Sequence, residues 1–139
     1  MKILLTIFII LTTFFLPLVT AKESQAKFFE DLVESNYHET PYTAWIKVVS
    51  VEEKPGVHFY PTYALTCDVL ETFKGVPLKT ITYLKSIEDG YQKYPLGEEY
   101  IVSLFFNPES GIYYLGDNGY DLPVTEALLK ILRGIIKGD

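Results

Sequence analysis

The chain has 139 residues, of which 48% are hydrophobic and 22% charged, and its formal net charge is −6 at pH 7. This length suits one domain rather than two. An acidic chain repels phosphate backbones, so we do not expect nucleic acid as a partner. Cys67 is the only cysteine, so no internal disulfide can form and the fold must depend on an apolar core.

Residues 1–21 have the pattern of a secretory signal peptide. Lys2 supplies the positive charge, an apolar run follows over residues 3–16, and Pro17 ends that run. We expect cleavage after Ala21, which predicts a periplasmic or secreted protein without a stable membrane span. The alternative is an uncleaved anchor, because residues 3–20 are just long enough to cross a bilayer.

After the signal, we predict an N-terminal helix and connector over residues 22–41 and a β domain with a C-terminal helix over residues 42–139. Apolar residues recur at helical spacing in both helical segments, with Phe28, Phe29, Leu32 and Val33 on one face of the first. Thr125 is a candidate N-cap for the second. The helices are predicted at 24–36 and 125–136, and the strands at 42–51, 58–72, 79–84, 99–106 and 112–115.

The clearest strand pattern lies in residues 63–75. Alternate residues fall on opposite sides, which is typical of a strand with one buried face. One side carries Tyr63, Leu65, Cys67 and Val69, and the other Ala64, Thr66, Asp68 and Leu70. The pattern ends in Phe73-Lys74-Gly75, where the glycine permits a sharp turn. Cys67 lies on the apolar side, so we predict a buried, unreactive thiol.

Five short strands between two helices predict a mainly β fold, namely a five-stranded OB-like antiparallel barrel with an N-terminal and a C-terminal helix. An α+β sandwich, with a helix packed on one open sheet, fits the same order of elements. The pattern alone leaves both architectures open.

Four segments, taken in order, resemble the netrin-module-like group, which includes the tissue inhibitors of metalloproteinases and small exported bacterial proteins. They are A-W-I-K-V-V-S-V at 44–51, V-L-E-T-F-K-G at 69–75, G-E-E-Y-I-V-S-L at 97–104 and G-I-Y-Y at 111–114. The resemblance implies an OB-fold barrel flanked by helices. In the inhibitors a cysteine at the mature N-terminus binds the protease zinc, whereas here Lys22 takes that place. The inhibitory mechanism is therefore not implied for any residue of this chain.

No catalytic constellation stands out from the sequence. A nucleophile needs a neighbouring base, and the spacing of Cys67 to His38 and His58 does not link them. One cysteine and two distant histidines do not suit a zinc site, and residues 117–121 lack the length and final glutamate of a calcium loop. We expect no metal, no cofactor and no enzymatic activity; the alternative is an envelope or extracellular enzyme that uses Cys67 or His58.

The long polar loop at 85–98 is the best candidate for contact with a partner, because loops of this length often carry binding residues. A second loop near residue 118 would contribute if the fold brings it nearby. We therefore expect a non-enzymatic module that binds a protein through loops at one barrel end; a structural accessory protein is a further alternative. The candidate contact residues are Tyr91, Lys93, Tyr94, Asn118, Tyr120 and Asp121.

Overall fold

A computed structural model describes residues 2–55, 60–87 and 96–138, with side chains described from residue 21 onward. Of the residues singled out from the sequence, His58, Tyr91, Lys93 and Tyr94 lie outside these ranges. The elements in chain order are α1 (Lys2–Glu39), β1 (Tyr42–Lys54), β2 (Thr62–Lys74), β3 (Thr80–Ser86), β4 (Glu99–Asn107), β5 (Ile112–Tyr114), β6 (Asp121–Pro123) and α2 (Glu126–Gly138).

Strands β1 to β5 form a closed barrel. β1 pairs antiparallel with β2 on one side and with β4 on the other, so the sheet returns to its own first strand. β5 lies between β3 and β4, parallel to β3 and antiparallel to β4. The predicted mainly β, five-stranded OB-like barrel with a helix at each end is confirmed. Its strands are mixed rather than all antiparallel because β3 and β5 run in the same direction, and the closure excludes the open-sheet sandwich.

The strand boundaries differ from the predicted ones in several places. β1 extends to Lys54 because its pairing with β2 continues through a register shift between Val48 and Ser50, as a β-bulge allows. Residues 60 and 61 were predicted to be in the second strand but precede β2, which begins at Thr62. β3 and β4 run on to Ser86 and Asn107, and β5 ends at Tyr114 rather than at residue 115.

The segment before α2, in which no strand was predicted, contains a sixth strand. β6 pairs antiparallel with β4, where Leu122 lies opposite Ile101. Both of these side chains are buried in the same apolar cluster beneath the helices. The pairing with β4 gives this short segment its strand conformation, which its own composition does not favour because Pro123 ends it.

The barrel interior is filled by side chains from alternate strand positions. Cys67 is 0% exposed and lies between inward-facing Leu65 and Val69 on β2. This confirms the prediction of a buried thiol. Other buried side chains in this cluster are Tyr42, Ala44, Ile46, Val48, Ile81, Tyr83, Val102, Leu104 and Leu115.

The two helices cover one half of the barrel's outer surface. Trp45 and Phe73 point outward from β1 and β2 into an apolar cluster that includes Val33 of α1 and Leu129 of α2. Thr125 caps α2, since its hydroxyl oxygen accepts a hydrogen bond from the Leu128 amide at 3.3 Å, as predicted. Among the residues with described side chains, neither helix contains a segment long and apolar enough to cross a membrane.

Three predictions for α1 are wrong. The helix does not begin at residue 24 but is continuous from Lys2. The helix continues past Asn36 to Glu39, because contacts with the rest of the fold hold its last turn. Phe28, placed by prediction on the buried face, is 61% exposed. Successive helical residues point about 100° apart, and Phe29 and Val33 take the side that faces the core.

The turn at Phe73-Lys74-Gly75 holds the end of α1 against the barrel. Phe73 is buried in the cluster beneath the helices. The Lys74 ammonium donates hydrogen bonds to the carbonyl oxygens of Tyr37 at 2.7 Å and His38 at 3.3 Å. Carbonyl groups in the last turn of a helix have no partner within the helix, and a cation there also complements the helix dipole.

Replacing Gly75 with alanine should destabilise the protein more than the same change at Gly97. Both glycines have a positive φ, +92° and +86°, which costs an alanine about 1–2 kcal/mol. At position 75 the new Cβ would also lie 2.9 Å from the carbonyl oxygen of Pro41, whereas nothing lies within 4 Å at position 97. We expect Gly75→Ala to lower the free energy of unfolding, measured in urea, by about 1–3 kcal/mol more than Gly97→Ala. Equal losses would contradict close packing at this turn.

Candidate functional site

A partly buried ion pair fixes one end of the barrel. The Lys85 ammonium at the end of β3 contacts the Asp121 carboxylate at the start of β6, and these side chains are only 9% and 17% exposed. Asp121 was a candidate contact residue, but its carboxylate is engaged by Lys85. The pair joins the two segments from which the long loop and the 115–120 loop depart.

The 115–120 loop is also attached to the last turn of α1. Asn36, which is buried, donates a hydrogen bond from Nδ2 to the Gly119 carbonyl at 2.7 Å. The Tyr120 hydroxyl donates to Oε2 of Glu39 at 2.8 Å. This bond raises the pKa of Tyr120 and is the largest cause that lowers the pKa of Glu39, with the Ser35 hydroxyl adding to it. The hydroxyl of Tyr120, a predicted contact residue, is therefore already engaged within the fold.

Asn118, a predicted contact residue, lies in a recess at this barrel end, which we call the barrel-end recess. Its volume is about 190 Å³, and three separate chain segments supply its walls. Tyr60, before β2, is 46% exposed, and the adjacent Pro61 carbonyl accepts a hydrogen bond from the Ile87 amide at 3.0 Å. The lining residues are Tyr60, Lys85, Ser86, Leu115, Gly116, Asp117 and Asn118.

A second recess of about 310 Å³ lies beside the first, on the outer face of the sheet, and we call it the sheet-face notch. It shares Ser86 and Leu115 with the barrel-end recess. None of its lining residues was among those predicted from the sequence to contact a partner. The available signal was the alternation in β3 and β5, which places Leu84, Ser86 and Tyr114 on the outward side.

The structure places Cys67, the candidate nucleophile, in the barrel interior. Burial, with a smaller effect of Asp68, raises the pKa of Cys67 to about 12, so the thiol is protonated at neutral pH and inaccessible. Within the described ranges no group of three or more His, Cys, Asp or Glu residues is placed to hold a metal ion. Oδ1 of Asp117 accepts a hydrogen bond from the Asn118 amide at 2.6 Å, so this carboxylate forms a local turn.

No protein-family model matches this sequence, and a comparison with curated proteins finds none similar to it. What can be inferred about function comes from the geometry of the barrel end and from the patterns in the sequence.

Cys67 should resist alkylation in the folded protein. Because the thiol is buried and protonated, iodoacetamide at neutral pH can reach it only when the folded protein opens transiently. Modification should therefore be at least about 100-fold slower than in the chain unfolded by urea. Mass spectrometry of timed samples measures both rates, and the unfolded chain is the control. Rapid modification of the folded protein would contradict the buried position and favour an enzyme that uses Cys67.

Breaking the ion pair at Lys85 should cost more than removing both of its members. Lys85→Met leaves the Asp121 carboxylate without its cation, and we expect a loss of about 3 kcal/mol in the free energy of unfolding. The double variant Lys85→Met/Asp121→Leu should recover at least about 1 kcal/mol of that loss, because no unpaired charge is left at a partly buried site. Urea unfolding of the single and double variants tests this. Additive losses would show that the two groups are not coupled.

Proposed function

We propose that this protein is an exported, non-enzymatic binding module that contacts a protein partner through the loops at one end of its barrel. The observation that carries the proposal is the barrel-end recess, where segments distant in the sequence meet around Tyr60, Ser86 and Asn118. Export is proposed from the signal-peptide pattern of residues 1–21.

The base of this recess is suited to binding because it is fixed before a partner arrives. The ion pair between Lys85 and Asp121 joins its two sides, and Asn36 ties the 115–120 loop to α1. Loops on a rigid scaffold lose less conformational freedom on binding than loops that must first become ordered.

The exposed side chains at the recess are suited to a protein surface. Tyr60 offers an aromatic ring with a polar hydroxyl, a combination that is frequent at interfaces, and Asn118 adds an amide that both donates and accepts hydrogen bonds. The segment after Ile87 carries Tyr91, Lys93 and Tyr94, and we include these residues in the proposed contact surface.

The state of Cys67 favours a binding role over an enzyme that uses this residue. Cys67 is buried and its pKa is about 12, which argues against the enzyme that would use it. The proposed likeness to the netrin-module group supplies a scaffold without a mechanism, because the position of the zinc-binding cysteine is taken by Lys22. Scaffold alone does not assign function, so the proposal depends on the recess.

Site-specific photo-crosslinking in the source cells tests this proposal. A benzoylphenylalanine in place of Tyr60 or Asn118 should give one discrete adduct with a partner protein, while the same group in place of Phe28 should not. Phe28 is a matched control because it is aromatic, 61% exposed and outside the recess.

The double variant Tyr91→Ala/Tyr94→Ala tests whether the long loop contributes to binding of the partner. We expect it to weaken the adduct formed from position 118 at least about 10-fold, as the loss of two aromatic interface anchors implies, with an unchanged circular dichroism spectrum. Equal adducts from positions 28 and 118, or none from either recess position, would overturn the proposal.

A further inference from the structure

The outer surface around β3 and β5, with the adjoining ends of β2 and β4, lies outside the part of the barrel that the helices cover. Both helices pack on the half that presents Trp45, Phe73 and Leu122. On the other half, Tyr114 and Ile112 of β5 are each 40% exposed. This half contains the sheet-face notch.

The floor of the notch is apolar, and its residues Leu84 and Tyr114 belong to a row of apolar side chains that crosses four strands. The register aligns Ala64 with Leu84, Leu84 with Tyr114, and Tyr114 with Phe105. The rings of Tyr114 and Phe105 are stacked, with centroids 5.7 Å apart and planes at 24°. Tyr114 thus presents a supported aromatic face rather than a freely rotating side chain.

Polar groups border this floor. On one side the hydroxyls of Thr62 and Ser86 lie 3.1 Å apart and form a hydrogen bond, and each hydroxyl keeps further capacity to accept or donate. On the hairpin side, Oδ1 of Asn107 accepts hydrogen bonds from the amides of Glu109 at 2.9 Å and Ser110 at 3.3 Å. These bonds fix the Asn107 side chain and leave its NH₂ group available as a donor.

The lining of the notch is entirely uncharged, although 22% of the chain is charged. A charged ligand would lose its hydration there without gaining a counter-charge. The lining instead combines apolar carbon, one aromatic face, hydroxyls and an amide. The residues are Thr62, Leu84, Ser86, Asn107, Ser110, Ile112, Tyr114 and Leu115.

We propose that the sheet-face notch binds a neutral saccharide. A sugar ring has an apolar face of C–H groups that can lie on an aromatic ring such as Tyr114, and a rim of hydroxyls that match Ser, Thr and Asn side chains. The volume of about 310 Å³ is at the lower end of ligand sites and suits roughly one or two sugar rings. This site is additional to the barrel-end partner and does not depend on it.

The strand pairing favours a saccharide over an extended peptide at this position. A peptide commonly binds by adding its backbone to a free strand edge. At the notch, Tyr113 and Tyr114 of β5 pair with β3 on one side and with β4 on the other, so this strand has no free edge to offer.

Titration of the full ¹⁵N-labelled chain with maltotriose, cellotriose and tri-N-acetylchitotriose, followed by NMR, tests the proposal. At least one of these trisaccharides should shift the amide signals of Ser86, Asn107 and Tyr114 in a saturable manner. Triglycine is the peptide probe and should leave these signals unchanged.

Two variants locate the binding. Tyr114→Leu keeps an apolar side chain but removes the aromatic face, and Asn107→Asp keeps the oxygen that accepts from Glu109 and Ser110 while replacing the NH₂ donor with a negative charge. Each should weaken the affinity at least about 10-fold, the effect of losing one good contact, whereas Phe28→Ala should leave it unchanged.

Absence of saturable shifts with all three trisaccharides, unchanged affinity in both variants, or shifts with triglycine instead would overturn the saccharide site. The photo-adduct at Asn118 reports the barrel-end partner separately. Asn107→Asp should leave that adduct unchanged, so failure of one proposal is distinguishable from failure of the other.

Discussion

The contact between the Lys74 ammonium and the last carbonyl groups of α1 is the constraint on which the barrel end depends. Lys74 belongs to a barrel strand, and its bond of 2.7 Å to the Tyr37 carbonyl fixes the helix end relative to that strand. The same helical turn carries Asn36 and Glu39, which hold the 115–120 loop by hydrogen bonds. Lys74 thereby helps to position the 115–120 loop, which forms a wall of the barrel-end recess, although Lys74 does not line that recess.

One part of the barrel's outer surface is covered by the two helices and contributes to the apolar core, and the other part is exposed to solvent. Under the helices, Trp45 is partly buried and donates its indole N–H to Glu99 at 2.9 Å, which satisfies a polar group that would otherwise be costly to bury. On the opposite half the outward positions are hydroxyls, such as Thr66 and Thr82 at 3.0 Å, and exposed rings. Substitution there changes surface chemistry with little effect on either apolar cluster, so that half is the one free to acquire a ligand.

The elements that follow a local pattern were predictable from the sequence, and those that depend on distant contacts were not. Alternation in residues 63–70 correctly placed Cys67 inside the barrel, because a period of two determines which face a side chain occupies. Lys85 lies in the same kind of alternation, on the inward side, yet its carboxylate partner Asp121 is 36 residues away. Asp121 is held in place by the pairing of β6 with β4, which no local pattern encodes. β6 escaped prediction for the same reason, since its strand conformation comes from β4.

The wall between the two recesses explains why this scaffold is suited to holding ligands without rearrangement. Ser86 and Leu115 face both recesses, and both belong to the hydrogen-bonded framework. The Ser86 hydroxyl bonds with that of Thr62, and the Leu115 amide donates to the Leu84 carbonyl at 2.9 Å. A wall built from paired strand ends keeps its shape when empty, so a ligand in either recess does not have to offset the entropy of ordering it.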